Sequence, residues 1–148
     1  MHVDRTPSGD IVIQARFDGT PLAVRGALLD LRKVLHGTAA EHCPLWEIVL
    51  AEALNNVVEH AYRDRTDGQI RLDVILRGRS FHVTLKDTGA EMPGGSVPSH
   101  PDPQIDKLPE GGFGWGLIHK SVENLSYRRH AGENILRFDL HLDANDPA

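Results

Sequence analysis

Apolar and polar residues alternate over residues 11–17, with Ile11, Ile13, Ala15 and Phe17 in phase, which is the period of a half-buried strand. Asp18-Gly19-Thr20-Pro21 follows as a turn leading into a helix start, with proline in the first turn. Over residues 22–35 the stripe Leu22, Leu28, Leu29, Leu31, Val34 and Leu35 predicts a helix, closed by His36-Gly37. A second helix, the most strongly patterned of the chain, is predicted from about residue 44 to about residue 63. Two β-rich runs come next, 69–76 and 81–86, separated by Arg77-Gly78-Arg79-Ser80 as in a hairpin. Residues 115–125 read as a third helix, and 127–130 with 135–142 as a closing hairpin around Ala131-Gly132-Glu133. The order predicts an α+β fold, a two-layer α/β sandwich in which a mixed, mostly antiparallel sheet is covered on one face by three helices. No repeat or linker divides the sequence, so residues 1–148 read as a single domain.

Composition narrows this picture. A chain of 148 residues can bury roughly 70% of its unfolded surface, enough for an ordinary core without staples. The single Cys43 makes no disulfide framework and points to a reducing compartment. No run approaches the ~20 apolar residues that cross a bilayer, and residues 1–10 lack the apolar stretch of a secretion signal, so the expectation is a cytoplasmic protein with no membrane contact. A formal charge of −5, with arginines only in small clusters, argues against direct nucleic-acid binding. The nine histidines form no metal-ligand pattern, which argues against zinc. Seven of the 14 glycines and five of the nine prolines fall between Gly89 and Gly116. That concentration of backbone breakers inside a compact chain asks for a purpose.

Three constellations could carry chemistry. On the second helix Glu52, Asn56 and His60 advance by about 40° per step and share one edge. A solvated face would explain them, yet adjacent Asn55 and Asn56 are poor helix formers there, whereas a carboxylate one turn before a carboxamide supplies a base and a neutral oxygen ligand for a hard cation such as magnesium. Asp87-Thr88-Gly89 ends an apolar strand; it serves as a turn, or as a carboxylate at the sheet rim able to accept from an exocyclic amine. Gly111-Gly112-Phe113-Gly114-Trp115-Gly116-Leu117 opens the third helix, where amides and the helix N-terminus suit an anion. Its spacing is neither a P-loop nor a dinucleotide fingerprint, so a phosphate site of another architecture is needed.

Together these pieces resemble the histidine-kinase-like ATPase fold, and more narrowly its small branch of bacterial anti-sigma factors that are also serine-protein kinases. The resemblance rests on Glu52-Ala53-Leu54-Asn55-Asn56-Val57-Val58-Glu59-His60-Ala61-Tyr62, on Asp87-Thr88-Gly89, and on Gly112 to Leu117, in that order along essentially the whole chain. It implies ATP and Mg2+ as cofactors, with Glu52 as general base, Asn56 as magnesium ligand, and Asp87 with Gly89 at the adenine. It further implies an ATP lid over about 90–113, Gly112, Gly114 and Gly116 near the phosphates, and His60, Trp115 and Leu117 beside the nucleotide. The implied partners are a sigma factor, which the protein would sequester, and an anti-anti-sigma protein whose serine or threonine it would phosphorylate; a homodimer is common in the family. One departure is visible: some members carry an arginine just before the lid glycines, where this chain has Glu110, and Lys107 is the substitute donor on offer. The alternative is a non-catalytic ATP-binding module that acts by protein binding alone. Retention of Glu52 favours the enzyme, since a pure binder needs no base beside the magnesium ligand. A sensor-kinase fragment is disfavoured because no phosphoacceptor helical hairpin is present.

Overall fold

The computed structural model describes residues 1–63, 67–97 and 113–142. Six strands form one sheet in the order β1-β2-β3-β4-β6-β5. They are β1 (His2–Arg5), β2 (Ile11–Asp18), β3 (Gln69–Arg77), β4 (Ser80–Asp87), β5 (Glu123–His130) and β6 (Glu133–His141). All five pairings are antiparallel, so the sheet expected to be mostly antiparallel is entirely so among the described residues. Helices α1 (Pro21–Val34), α2 (Leu45–Asn56) and α3 (Phe113–Ser121) accompany it.

Strict alternation builds the sheet's inner face. In β3, Ile70, Leu72, Val74 and Leu76 are buried while their neighbours are not, and in β4 the same holds for Phe81, Val83 and Leu85. These residues meet Val24 and Leu31 of α1, Val49, Leu50, Ala53 and Leu54 of α2, and Ile118 of α3 in one core. Each such side chain contributes on the order of 1.5–3 kcal/mol on burial. Trp46 packs on Phe81 with ring centroids 5.5 Å apart, and its indole N–H donates to the Ala40 carbonyl at 3.0 Å. Thr20 caps α1 by accepting from the Ala23 amide, with Pro21 at the first helical position as the sequence suggested.

Three element boundaries differ from expectation, each for a local reason. Strand β1 has one apolar residue, Val3, and is held by backbone pairing to β2 rather than by patterning. Helix α3 stops at Ser121, because Asn124 adopts φ 56° and the chain enters β5 through a register shift between Glu123 and Ser126. The second helix is regular only to Asn56; Val57–Ala61 form a π-helical turn, closed by the Tyr62 amide donating to the Val57 carbonyl at 3.0 Å. Among the described residues no helix is long and apolar enough to cross a membrane.

Candidate functional site

Helix α2 and its π turn act as a rail along which the other motifs are mounted. At the start of the stretch that carries the motifs, Glu52 to Ala61, Glu52 lies against the first turn of α3: a Cβ built on Gly114 would sit 2.6 Å from Glu52 Oε2. Only glycine leaves that carboxylate its place. One turn further on, Asn56 is buried and its Nδ2 has no hydrogen-bond partner among the described residues. At the end of the rail, Ala61 meets Gly89. The Ala90 amide donates to the Ala61 carbonyl at 2.9 Å, and a Cβ on Gly89 would run into that same carbonyl. This contact is with backbone, which cannot swing aside.

Tyr62 fastens the rail to the sheet. Its ring is buried, its hydroxyl donates to the Gln69 carbonyl at 2.5 Å, and the same oxygen accepts from the Thr88 amide at 2.9 Å. The last residue of the first motif thus fixes the second.

Asp87 ends β4 on its buried side, where alternation would place a hydrophobe. Its Oδ1 accepts from the Gly89 amide at 2.9 Å and from Asn134 Nδ2 at 2.7 Å, the latter from the directly opposed position on β6. Burial pushes the Asp87 carboxyl above its ordinary value, against the pull of Asn134, the Gly89 amide and the Arg129 charge. No described residue donates to Oδ2. Here is a carboxylate with one oxygen saturated and one left as an acceptor.

A model of the histidine kinase-like ATPase domain matches residues 17–140. The chain belongs to that family. Among curated relatives, this histidine kinase-like ATPase domain is 27% identical over 131 residues to the serine-protein kinase RsbW of Oceanobacillus iheyensis, covering 84% of this chain and 83% of that protein. It is 30% identical over 100 residues to the serine-protein kinase RsbW of Bacillus subtilis, covering 60% of this chain and 59% of the relative. It is 32% identical over 91 residues to the serine/threonine-protein kinase BtrW of Bordetella bronchiseptica, covering 61% and 64%. For the last two the chain spans less than two thirds of the relative's length.

Of the sequence-derived candidates, the fold brings Glu52, Gly114 and the buried Trp115 and Gly116 to one end of the rail, and Asp87 and Gly89 to the other, with Asn56 between. Leu117 is half-buried on α3. The expected common edge of Glu52, Asn56 and His60 is interrupted: the π turn adds backbone between Asn56 and His60, and His60 is exposed. Gly112, Lys107, Glu110 and most of the expected lid lie outside the described residues. Sequence reasoning missed Tyr127, Arg129 and Asn134. The signal for Asn134 was present, since it stands in phase with Leu136, Phe138 and Leu140, as a polar residue in an inward-facing row.

Proposed function

We propose that this domain is an ATP-dependent serine/threonine protein kinase and anti-sigma factor, which sequesters a sigma factor and phosphorylates a serine or threonine of an anti-anti-sigma partner in a partner-switching system. The observation that carries the reading is the placement of the Glu52 carboxylate against the first turn of α3, one helical turn from the buried Asn56. Names of the relatives, serine-protein kinase and serine/threonine-protein kinase, support the same activity.

Residue roles follow from the chemistry at each position. Asp87 Oδ2 accepts a hydrogen bond from the adenine amino group, and Gly89 lets the ring approach the backbone. The α3 N-terminal turn at Gly114 and Gly116 faces the phosphates, where backbone amides and the helix dipole favour negative charge. Asn56 fits a cation ligand: it offers a neutral carboxamide oxygen, and its Nδ2 has no hydrogen-bond partner among the described residues that would commit the side chain elsewhere. Among the described residues no three His, Cys, Asp or Glu converge as a metal site, and the residue that would hold Mg2+ is Asn56. Bound Mg-ATP supplies the phosphoryl group and charge neutralisation for its transfer. Glu52 orients the partner's hydroxyl and takes its proton as the oxygen–phosphorus bond forms and the bond to the ADP oxygen breaks.

The test uses proteins captured on the immobilised chain, with and without Mg-ATP, from its native host. Each is incubated with γ-labelled ATP and either wild type or Glu52→Gln. Serine or threonine label with wild type and its loss with the variant is the expected result; equal labelling by both removes the kinase reading.

A further inference from the structure

We infer that Arg129, Tyr127 and Asn134, all on the β5–β6 hairpin, are positioning residues that aim Asp87 and thereby set the selectivity for a purine bearing an exocyclic amine. This rests on the reading that Asp87 receives such an amine.

The three side chains form a closed polar network around Asp87. Asn134 Nδ2 donates to Asp87 Oδ1 at 2.7 Å and to the Ala90 carbonyl at 2.9 Å. Its Oδ1 accepts from the Tyr127 hydroxyl at 2.5 Å and from Arg129 Nη1 at 3.0 Å. Both ends of the buried carboxamide are therefore used, which fixes the orientation in which it reaches Asp87. Arg129 Nη1 also donates to the Gly89 carbonyl at 2.7 Å, and the Met92 amide donates to the Tyr127 hydroxyl at 3.0 Å. The hairpin thus holds the backbone after Asp87 at residues 89, 90 and 92.

The consequence for Asp87 is directional. With Oδ1 receiving two donors, the carboxylate plane is set and Oδ2 is the acceptor left for a ligand. A turn alone does not require this arrangement: an asparagine closes the same Asx turn without the cost of burying a charge. Arg129 is itself exposed, and ordering its long side chain on two acceptors costs conformational entropy. Charge and order are both concentrated on one carboxylate oxygen.

The measurement is the affinity of Mg-ATP relative to the triphosphate of purine riboside, which lacks the exocyclic amine, by calorimetry on wild type, Tyr127→Phe, Arg129→Gln and Arg129→Lys. Wild type should prefer ATP by at least about tenfold, and Tyr127→Phe and Arg129→Gln should bring that ratio down towards unity, with partial recovery in Arg129→Lys. Tyr127→Phe removes a single hydroxyl and keeps the test available if Arg129→Gln fails to fold. Variants that lose affinity for both nucleotides equally, with the ratio kept, show a merely structural network and overturn the inference. Wild type that binds ATP without preferring it over the analogue also overturns it. Wild type that binds neither removes the adenine reading itself.

Discussion

The two ends of the α2 rail handle polar groups in opposite ways. At the Asp87 end every donor and acceptor of Asn134 is used, Tyr127 and Arg129 back it, and one carboxylate oxygen remains. At the Glu52 end Asn56 is sealed in with an Nδ2 that has no partner among the described residues, and no described residue donates to Glu52, which packs on a glycine. A saturated network fixes a shape before any ligand arrives, whereas an under-partnered site gains most when charge arrives. The first suits recognition of a rigid base; the second suits phosphates, a cation and a moving proton.

The largest expected effect that tests this contrast is on binding. In Asp87→Asn the amide must keep its oxygen towards Asn134 and the Gly89 N–H, which turns its NH2 outward to oppose the donor of an adenine amine. Mg-ATP affinity should fall about 100-fold by calorimetry, as expected for a buried donor left facing a donor.

Stability should separate the ends by sign. Asn134→Leu strands the Tyr127 hydroxyl, Arg129 and Asp87, and should lower Tm by about 6–9 °C, the equivalent of ~2–3 kcal/mol for a chain of this size. Asn56→Leu removes an unpartnered polar group and should raise the Tm of the nucleotide-free protein by about 3 °C, from ~1 kcal/mol. Differential scanning calorimetry reads both; shifts of the same sign break the comparison.

A smaller effect concerns pH. The folded-state pKa of Asp87 is raised, so its protonation favours folding fully only below the unfolded value, and that contribution is lost as pH rises through the folded one. Ligand acceptance runs the other way, because the acceptor is the ionised form. Mg-ATP affinity should therefore weaken on acidification, and at a higher pH than an ordinary aspartate would give. Among the charges acting on Asp87, Arg129 lowers its pKa and Glu133 raises it, so Arg129→Gln should move that weakening to higher pH and Glu133→Gln to lower pH, both measured by titrations across pH.

The smallest is at Gly114. The Cβ of Gly114→Ala meets the far end of a flexible Glu52 side chain, which can swing aside, while alanine favours the helix. The variant should keep or slightly raise Tm and lose phosphotransfer several-fold, in thermal melts and a labelling assay.

Much of this was legible in the sequence for physical reasons. Period-two runs in β2, β3 and β4 and the capped start of α1 announced themselves because burial there follows local pattern. Asn56 and Asp87 stood out because each is locally wasteful, one a poor helix former in mid-helix and the other a charge at a strand end, and Glu52 and Gly89 stood out by their spacing from them. The π turn was not legible, since Val57–Ala61 reads as continuous helix and only the i to i+5 bond to Tyr62 reveals the extra backbone. Nor was the hairpin network, whose members become neighbours of Asp87 only through the β4–β6 register.

The most direct test of the contrast is one calorimetric titration of Mg-ATP into Asp87→Asn and Glu52→Gln side by side with wild type. Glu52→Gln should bind within about twofold of wild type, because in the proposed mechanism its carboxylate would act on the hydroxyl rather than on the nucleotide, while Asp87→Asn should show little or no heat. Loss of binding in Glu52→Gln as severe as in Asp87→Asn, or unchanged binding in Asp87→Asn, would contradict the division of labour between the two ends.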